Sequence, residues 1–148
     1  TKTLRKSIAY VPQTIQLFSG RIQDNITAGL DDCSDEDIIN AARMANAHEF
    51  ISVLPGGYDS ELKEGGNNLS GGQKQKLALA RAFIRKPKIA VFDEPTNSLD
   101  GETEILMKDY IDKNYIGKTL ILATHKISLL SIVDRIIVIS GGKIVSNF

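Results

Sequence analysis

The 148 residues are enough for one domain, and a composition of 42% hydrophobic and 24% charged residues excludes a disordered chain. The 18 basic and 18 acidic residues balance, which argues against a nucleic-acid-binding protein. No stretch approaches the roughly 20 apolar residues of a membrane-spanning helix, and the single cysteine excludes an internal disulfide.

The first half of the chain predicts one strand followed by a helical region. Ser7–Val11 is apolar and β-prone, and the proline after it ends the strand just before Gln13. Ser34 can cap a helix, because three acidic residues follow it and apolar residues then recur at helical spacing. This helix is predicted to end before Pro55-Gly56-Gly57, and residues 59–68 are predicted to be a polar connection.

The second half alternates strands with helices. A helix with one apolar face is predicted to open at Gly71-Gly72, and the uniformly apolar residues 89–92 are typical of a parallel strand covered on both faces. This alternation predicts an α/β fold with a parallel sheet, in which residues 31–86 form a mostly helical insert. The remaining predicted elements are a helix at 101–114, a strand at 119–123, a short helix at 127–132 and a hairpin at 135–145 that turns at Gly141-Gly142.

Two segments carry chemistry. The strand that ends in Asp93-Glu94 would deliver two carboxylates to the ligand-binding edge of a parallel sheet, Asp93 to hold magnesium and Glu94 to activate a water. Ser70-Gly71-Gly72 would place unpaired N–H groups of a helix start near a phosphate. Taken singly, the first segment could be an exposed acidic pair and the second an ordinary capped helix.

Together these segments resemble a known family. Leu69-Ser70-Gly71-Gly72-Gln73, followed by the apolar strand that ends in Asp93-Glu94, is similar to the signature and Walker B motifs of the ATP-binding cassette (ABC) ATPases. The resemblance implies a partial P-loop NTPase (RecA-like) core with an ABC helical subdomain. The implied segments are a core strand and Q-loop region (1–30), a helical subdomain with the signature helix (31–86), and a core with the Walker B, D-loop and H-loop motifs (87–148).

The resemblance also implies roles for single residues. In the family, the signature motif contacts ATP held with Mg²⁺ by a second ABC ATPase domain, in a head-to-tail dimer; the matching residues here are Ser70, Gly71, Gly72 and Gln73. Asp100 matches the D-loop, which crosses that interface, although it could also cap the next helix.

Two further residues match the family's catalytic positions. His125 follows a strand that would bring it to the edge that carries Asp93, where it matches the switch histidine that contacts the γ-phosphate. Gln13 matches the Q-loop residue that touches the magnesium ion and the attacking water and links them to the membrane domain. Without the resemblance, the histidine would be interpreted as structural and the glutamine as a turn cap.

Other stretches favour an exporter. Leu17–Ile26 is similar to the segment that follows the Q-loop in exporters, and Thr124–Val138 is similar to bacterial type I secretion and bacteriocin exporters. In Lys63–Gly66, an element that resembles the exporters' Gly-Glu-x-Gly, a lysine replaces the first glycine. The implied function is ATP hydrolysis that powers export, with a transmembrane domain as partner and a location at the cytoplasmic face of a bacterial inner membrane.

One expected motif is missing. The phosphate loop pattern G-x-x-x-x-G-K-[ST] does not occur, and Gly117-Lys118-Thr119 imitates only its end because Asp112 stands where the first glycine would be. The chain is therefore expected to match the later two-thirds of a cassette and, alone, neither to bind ATP tightly nor to hydrolyse it.

Two alternatives remain. One is a soluble cassette ATPase that acts on nucleic acid or ribosomes, although the compact insert and the zero net charge do not favour it. The other is a non-catalytic module that only donates its signature, although such a module would have no chemical need of Glu94 and His125.

Overall fold

The computed structural model describes residues 7–148, so residues 1–6 of the first predicted segment lie outside the described residues. The strands are β1 (Ile8–Val11), β2 (Gly20–Arg21), β3 (Glu61–Leu62), β4 (Ile89–Asp93), β5 (Thr119–Ala123), β6 (Ile137–Ser140) and β7 (Lys143–Asn147). The α-helices are α1 (Ile22–Thr27), α2 (Asp35–Met44), α3 (His48–Ser52), α4 (Gly71–Ile84) and α5 (Gly101–Asn114), and short 3-10 turns include Ile127–Ile132.

A parallel sheet of three strands in the order β1-β4-β5 lies at the centre of the fold. Both strand pairs run in the same direction, so the carboxyl ends of all three strands meet at one edge, and Asp93 pairs with Ala123 there. Ala90 and Phe92 of the central strand are fully buried. The predicted parallel α/β sheet is confirmed.

Helix α4 joins the sheet to the helical region. Its side chains Leu77, Leu79 and Phe83 are buried in the core that also contains Phe92 of β4. The ring of Phe83 lies 4.0 Å, between centroids, from that of Tyr110 on α5. The helix whose start carries the signature is therefore fixed by apolar packing along most of its length.

The helix predicted to run from Ser34 to the Pro55 turn is divided in two. Ser34 caps α2 in a reciprocal capping box with Asp37, as its sequence suggests. The helix ends at Met44, however, because Asn46 adopts a left-handed conformation with φ 52°, and α3 starts only at His48. Asparagine tolerates this conformation better than most residues, and an αL residue commonly ends a helix.

The predicted polar connection at 59–68 is also more ordered than expected. It contains β3, which pairs antiparallel with β2, and its Leu62 is buried. Arg21 reaches Asp59 across this pairing at 3.3 Å. A two-residue strand has too short an apolar alternation to stand out in the sequence.

The predicted hairpin is confirmed as β6 and β7, which turn at Gly141-Gly142, where both glycines have positive φ. Its apolar side chains are largely exposed, among them Ile139, Ile144 and Phe148. Among residues 7–148, no helix is both long and apolar enough to cross a membrane.

Candidate functional site

The carboxyl edge of the sheet brings two predicted catalytic side chains into contact. Glu94 follows β4 and His125 follows β5, and the histidine Nδ1 lies 2.8 Å from the Glu94 Oε1 atom. An ionised carboxylate can only accept hydrogen bonds, so Nδ1 carries the proton of this bond when Glu94 is charged. The other ring nitrogen, Nε2, is then left for a ligand.

The backbone at Glu94 is strained. Its φ is 48°, a left-handed value that a non-glycine residue rarely adopts. The Glu94 N–H donates to the carbonyl oxygen of Ala123 at 2.9 Å, which ties the end of β4 to β5. Strain of this kind, worth about 1–3 kcal/mol, persists mainly at functional sites.

The second carboxylate oxygen of Glu94 has no hydrogen-bond partner among residues 7–148. Oε2 is buried and accepts no hydrogen bond from any residue of the described part, while the whole side chain is 17% exposed. Leaving a buried acceptor unsatisfied costs about 1–3 kcal/mol, so such an atom calls for an explanation. A water or ligand proton at Oε2 would supply the missing donor.

The magnesium prediction concerns Asp93 and Gln13. Asp93 is the last residue of β4 and is half-buried, and Gln13 is exposed in the loop after β1. No hydrogen bond within residues 7–148 joins Gln13 to Asp93, Glu94 or His125, and this range holds no group of three or more His, Cys, Asp or Glu side chains that could enclose a metal. One or two carboxylates with substrate phosphates are sufficient for Mg²⁺, so the donor set fits.

The predicted phosphate-contacting segment is a capped helix start. The Ser70 hydroxyl oxygen accepts from the Gln73 N–H at 3.2 Å, and the Gln73 side-chain oxygen accepts from the Ser70 N–H at 2.9 Å. Ser70 and Gly71 are exposed. The capping interpretation is thus correct for the structure of this chain, and the predicted nucleotide contacts stay a prediction.

Gly72 is required by packing. A Cβ atom placed on it would lie 2.8 Å from the backbone carbonyl oxygen of Ser98, closer than real Cβ atoms approach. A Cβ on Gly71 would lie 3.6 Å from the Ser98 hydroxyl oxygen, an ordinary contact. The loop that follows Glu94 therefore packs directly against the start of α4.

Asp100, predicted to contact nucleotide, caps α5. Its carboxylate accepts from the N–H and hydroxyl of Thr103, both at 2.8 Å, and pairs with the Lys76 ammonium at 3.1 Å. The Thr103 donors, followed by Lys76, hold the pKa of Asp100 well below its usual range. The carboxylate thus links α4 to α5, and its predicted nucleotide contact stays a prediction.

Arg81 has no role predicted from the sequence, but in the structure it joins α4 to the segments that contain Gln16 and Asn25. From α4 its guanidinium donates to the Gln16 carbonyl oxygen at 3.0 Å, to the Asn25 carbonyl oxygen at 2.8 Å and to the Asn25 Oδ1 atom at 3.1 Å. Burial, and secondarily Arg85, lowers the Arg81 pKa. The sequence signal for this role is an arginine among the apolar residues of the helix, where a charged side chain needs hydrogen-bond partners.

Comparisons with known proteins show the family of this chain. The family model described as ABC transporter matches residues 1–97 of the chain. The chain belongs to the ABC transporter family. An ABC exporter of the bacterial Atm1 family, solved with ATP bound, superimposes on this fold with a TM-score of 0.92 and 36% sequence identity over 98% of the chain.

Curated ABC relatives match the chain over nearly its whole length. An uncharacterised ABC transporter ATP-binding protein of Sinorhizobium fredii is 44% identical over 97% of this chain, and a putative multidrug export ATP-binding/permease protein of Staphylococcus aureus is 43% identical over 99%. ABC transporter B family member 2 of Dictyostelium discoideum is 45% identical over 97%. The chain spans 24%, 25% and 10% of these three proteins, respectively, and 26% of the Atm1-family exporter chain.

Proposed function

We propose that this chain is part of the ATP-hydrolysing domain of an ABC exporter, with residues 31–86 as its helical subdomain and residues 1–30 and 87–148 as its core. The observation that carries the proposal is the Glu94–His125 contact of 2.8 Å, beside a buried carboxylate oxygen that has no partner in the described part of the chain. The multidrug export and Atm1-family names of the relatives support export as the process that hydrolysis powers.

In the proposed reaction, Glu94 is the general base. Its Oε1 is occupied by His125, so the unpartnered Oε2 is the atom that takes a proton from the attacking water. The imidazole Nε2 is free to contact the γ-phosphate. Asp93 and Gln13 would hold Mg²⁺, which neutralises charge that develops on the phosphate oxygens.

The helix start at Ser70–Gln73 would act on the nucleotide of a second ABC ATPase domain. Its exposed N-terminus offers backbone N–H groups and the positive end of a helix dipole to a phosphate. Because Gly72 packs closely on Ser98, a movement of the helix start towards the partner domain would carry the Asp100 loop with it. ATP with Mg²⁺ would thus lie between two domains in head-to-tail order.

The transmembrane domain of the exporter would dock on this chain beside Gln13. The chain would then lie at the cytoplasmic face of a bacterial inner membrane. Residues 14–18 and Arg81 line a groove of about 540 Å³, at which Tyr10 and Phe18 are exposed. We expect Phe18→Asp to lower the melting temperature of the full-length membrane protein. The matched change at Val53, an 81% exposed residue outside this groove, should leave it unchanged, and equal effects would contradict the docking proposal.

The direct test of function is ATP hydrolysis by the full-length protein. Replacing a general base costs on the order of 10²–10⁴ in rate, so Glu94→Gln should lower turnover by this factor while nucleotide binding persists. Glu102→Gln, at an exposed position on α5, is the matched control. A Glu94→Gln protein that retained its rate would remove this residue from the mechanism.

We also propose that the chain alone neither binds ATP tightly nor hydrolyses it, because its sequence contains no phosphate-loop motif. Purified chain should release no phosphate from ATP above background. Turnover that disappeared on Glu94→Gln substitution would overturn this second proposal.

A further inference from the structure

The placement of His125 depends on its backbone. The side chain is 72% exposed, and its contact with Glu94 is the one hydrogen bond found for the ring within residues 7–148. No neighbouring side chain of that range fixes the ring from the other side by a hydrogen bond. A 1 Å displacement of a catalytic group can cost about 10²-fold in rate, so the backbone after β5 must itself be held firmly.

The next residue supplies this hold. The Lys126 ammonium donates to the Thr96 carbonyl oxygen at 3.0 Å and to the Glu104 carboxylate at 3.0 Å. Thr96 lies two positions after Glu94, and Lys126 lies one after His125. One ammonium therefore joins the two loops that carry the two reacting side chains.

Glu104 anchors this ammonium to a rigid helix. It lies on α5 with a side chain 16% exposed, and its second carboxylate oxygen accepts from the Ser128 hydroxyl at 2.6 Å. Ser128 and then Lys126 lower the pKa of Glu104, so the carboxylate stays charged. One turn further along α5, Lys108 donates to the Ser128 carbonyl oxygen at 2.7 Å. Both oxygens of Glu104 thus serve the segment that follows His125.

We propose that Lys126, held by Glu104, is a positioning residue that sets the contact between His125 and Glu94. It touches neither the substrate nor the reacting atoms, and it acts by fixing the distance between two loops. The inference rests on the proposed function, because it needs Glu94 and His125 to act on ATP. It predicts that loss of the ammonium slows the reaction more than it weakens ATP binding.

A purely structural salt bridge would behave differently. Both side chains are partly buried, so breaking the pair also destabilises the fold. A structural role predicts rate losses that follow the loss of thermal stability, together with a weaker apparent affinity for ATP. A positioning role predicts a fall in kcat with KM for ATP unchanged, and rescue by an arginine that keeps the donors.

The test measures kcat and KM for ATP and the melting temperature of the full-length protein with each substitution. Lys126→Met and Glu104→Gln should each lower kcat by about 10-fold to 10²-fold at unchanged KM. The double variant should lose no more than the worse single one, because both break one unit. Lys126→Arg, which keeps the hydrogen-bond donors, should retain most of the wild-type kcat.

Lys113→Met is the matched control. Lys113 pairs with Asp109 at 2.7 Å, but this pair lies within helix α5 and both side chains are exposed. Its kcat should equal that of the wild-type protein. The proposal is overturned if Lys126→Met keeps the wild-type kcat. It is also overturned if kcat and the melting temperature fall while KM for ATP rises, and Lys126→Arg shows the same losses. Glu94→Gln measured in parallel separates this failure from failure of the ATPase function itself.

Discussion

The edge of the sheet and the start of α4 are built in opposite ways. At the edge, Glu94 and His125 are 31 positions apart in the chain and meet because two parallel strands end together. One buried carboxylate oxygen of Glu94 finds no donor within residues 7–148. At the helix start, Ser70 and Gln73 are three positions apart and satisfy each other in a capping box. Among residues 7–148, the sheet edge keeps a carboxylate oxygen that a bound ligand or water could satisfy. The side chains at the helix start satisfy each other, and this start is exposed.

This difference bears on which nucleotide the sheet edge and the helix start would each contact in the proposed site. A buried acceptor without a donor destabilises the fold, and a ligand that donates a hydrogen bond to it removes this penalty. A capped, exposed helix start has no such cost and gains only what an approaching phosphate offers. The comparison therefore favours catalysis at the sheet edge and recognition of another domain's nucleotide at the helix start.

Removal of the imidazole should have the largest effect in this comparison. His125→Ala leaves both carboxylate oxygens of Glu94 without a hydrogen bond from residues 7–148. We expect it to lower ATP turnover of the full-length protein by about 10²-fold or more. His48→Ala is the control, since the side-chain hydrogen bond found for His48 within residues 7–148 goes to Tyr58 in the helical region, at 2.8 Å. Equal rates for the two variants in a steady-state ATPase assay would contradict a catalytic sheet edge.

A smaller effect should follow from adding a methyl group at the helix start. Gly72→Ala places a Cβ against the Ser98 carbonyl oxygen, and we expect it to destabilise the purified chain by about 1–3 kcal/mol in urea unfolding. Gly71→Ala, which has room, should be neutral or stabilising by up to about 1 kcal/mol, because alanine favours a helix. Equal stability of the two variants would show that the start of α4 does not pack closely against the loop after Glu94.

The smallest effect should come from the Asp100 cap. Asp100→Ala should cost the purified chain about 1 kcal/mol at pH 7, the usual value of a lost N-cap. The folded pKa of Asp100 is lowered, so its stabilisation is present above the unfolded value of about 3.9 and is lost as the pH falls through the folded pKa. The stability difference from wild type should therefore shrink below about pH 4. A difference independent of pH, or one matched by Asp112→Ala, would rule out this role.

Much of the fold could be predicted from the sequence because its signals are local. The cap at Ser34, the glycines at the start of α4 and the apolar strand before Asp93 each mark an element by themselves. The break at Asn46 and the pairing of β2 with β3 could not be predicted, because a single αL residue and a two-residue strand leave no periodic pattern.

The site shows the same limit. Glu94 and His125 were identifiable because each follows a strand, and the sheet then places them together. The roles of Lys126, Glu104 and Arg81 depend on contacts between segments distant in the chain, which one sequence does not reveal. The predicted placement of Gln13 near the reacting groups also depends on loop geometry, and it remains a prediction.

The most direct test of the central claim places two lesions in the same or in different copies of the full-length protein. One lesion is Glu94→Gln; the other is Ser70→Asp, which keeps a capping residue but repels phosphate. If each site combines Glu94 of one copy with Ser70 of the other, doubly tagged complexes with one lesion per copy retain one intact site and hydrolyse ATP. Complexes with both lesions in one copy and a wild-type partner should be inactive. The opposite pattern would show that both groups serve the same copy's nucleotide and would contradict the account.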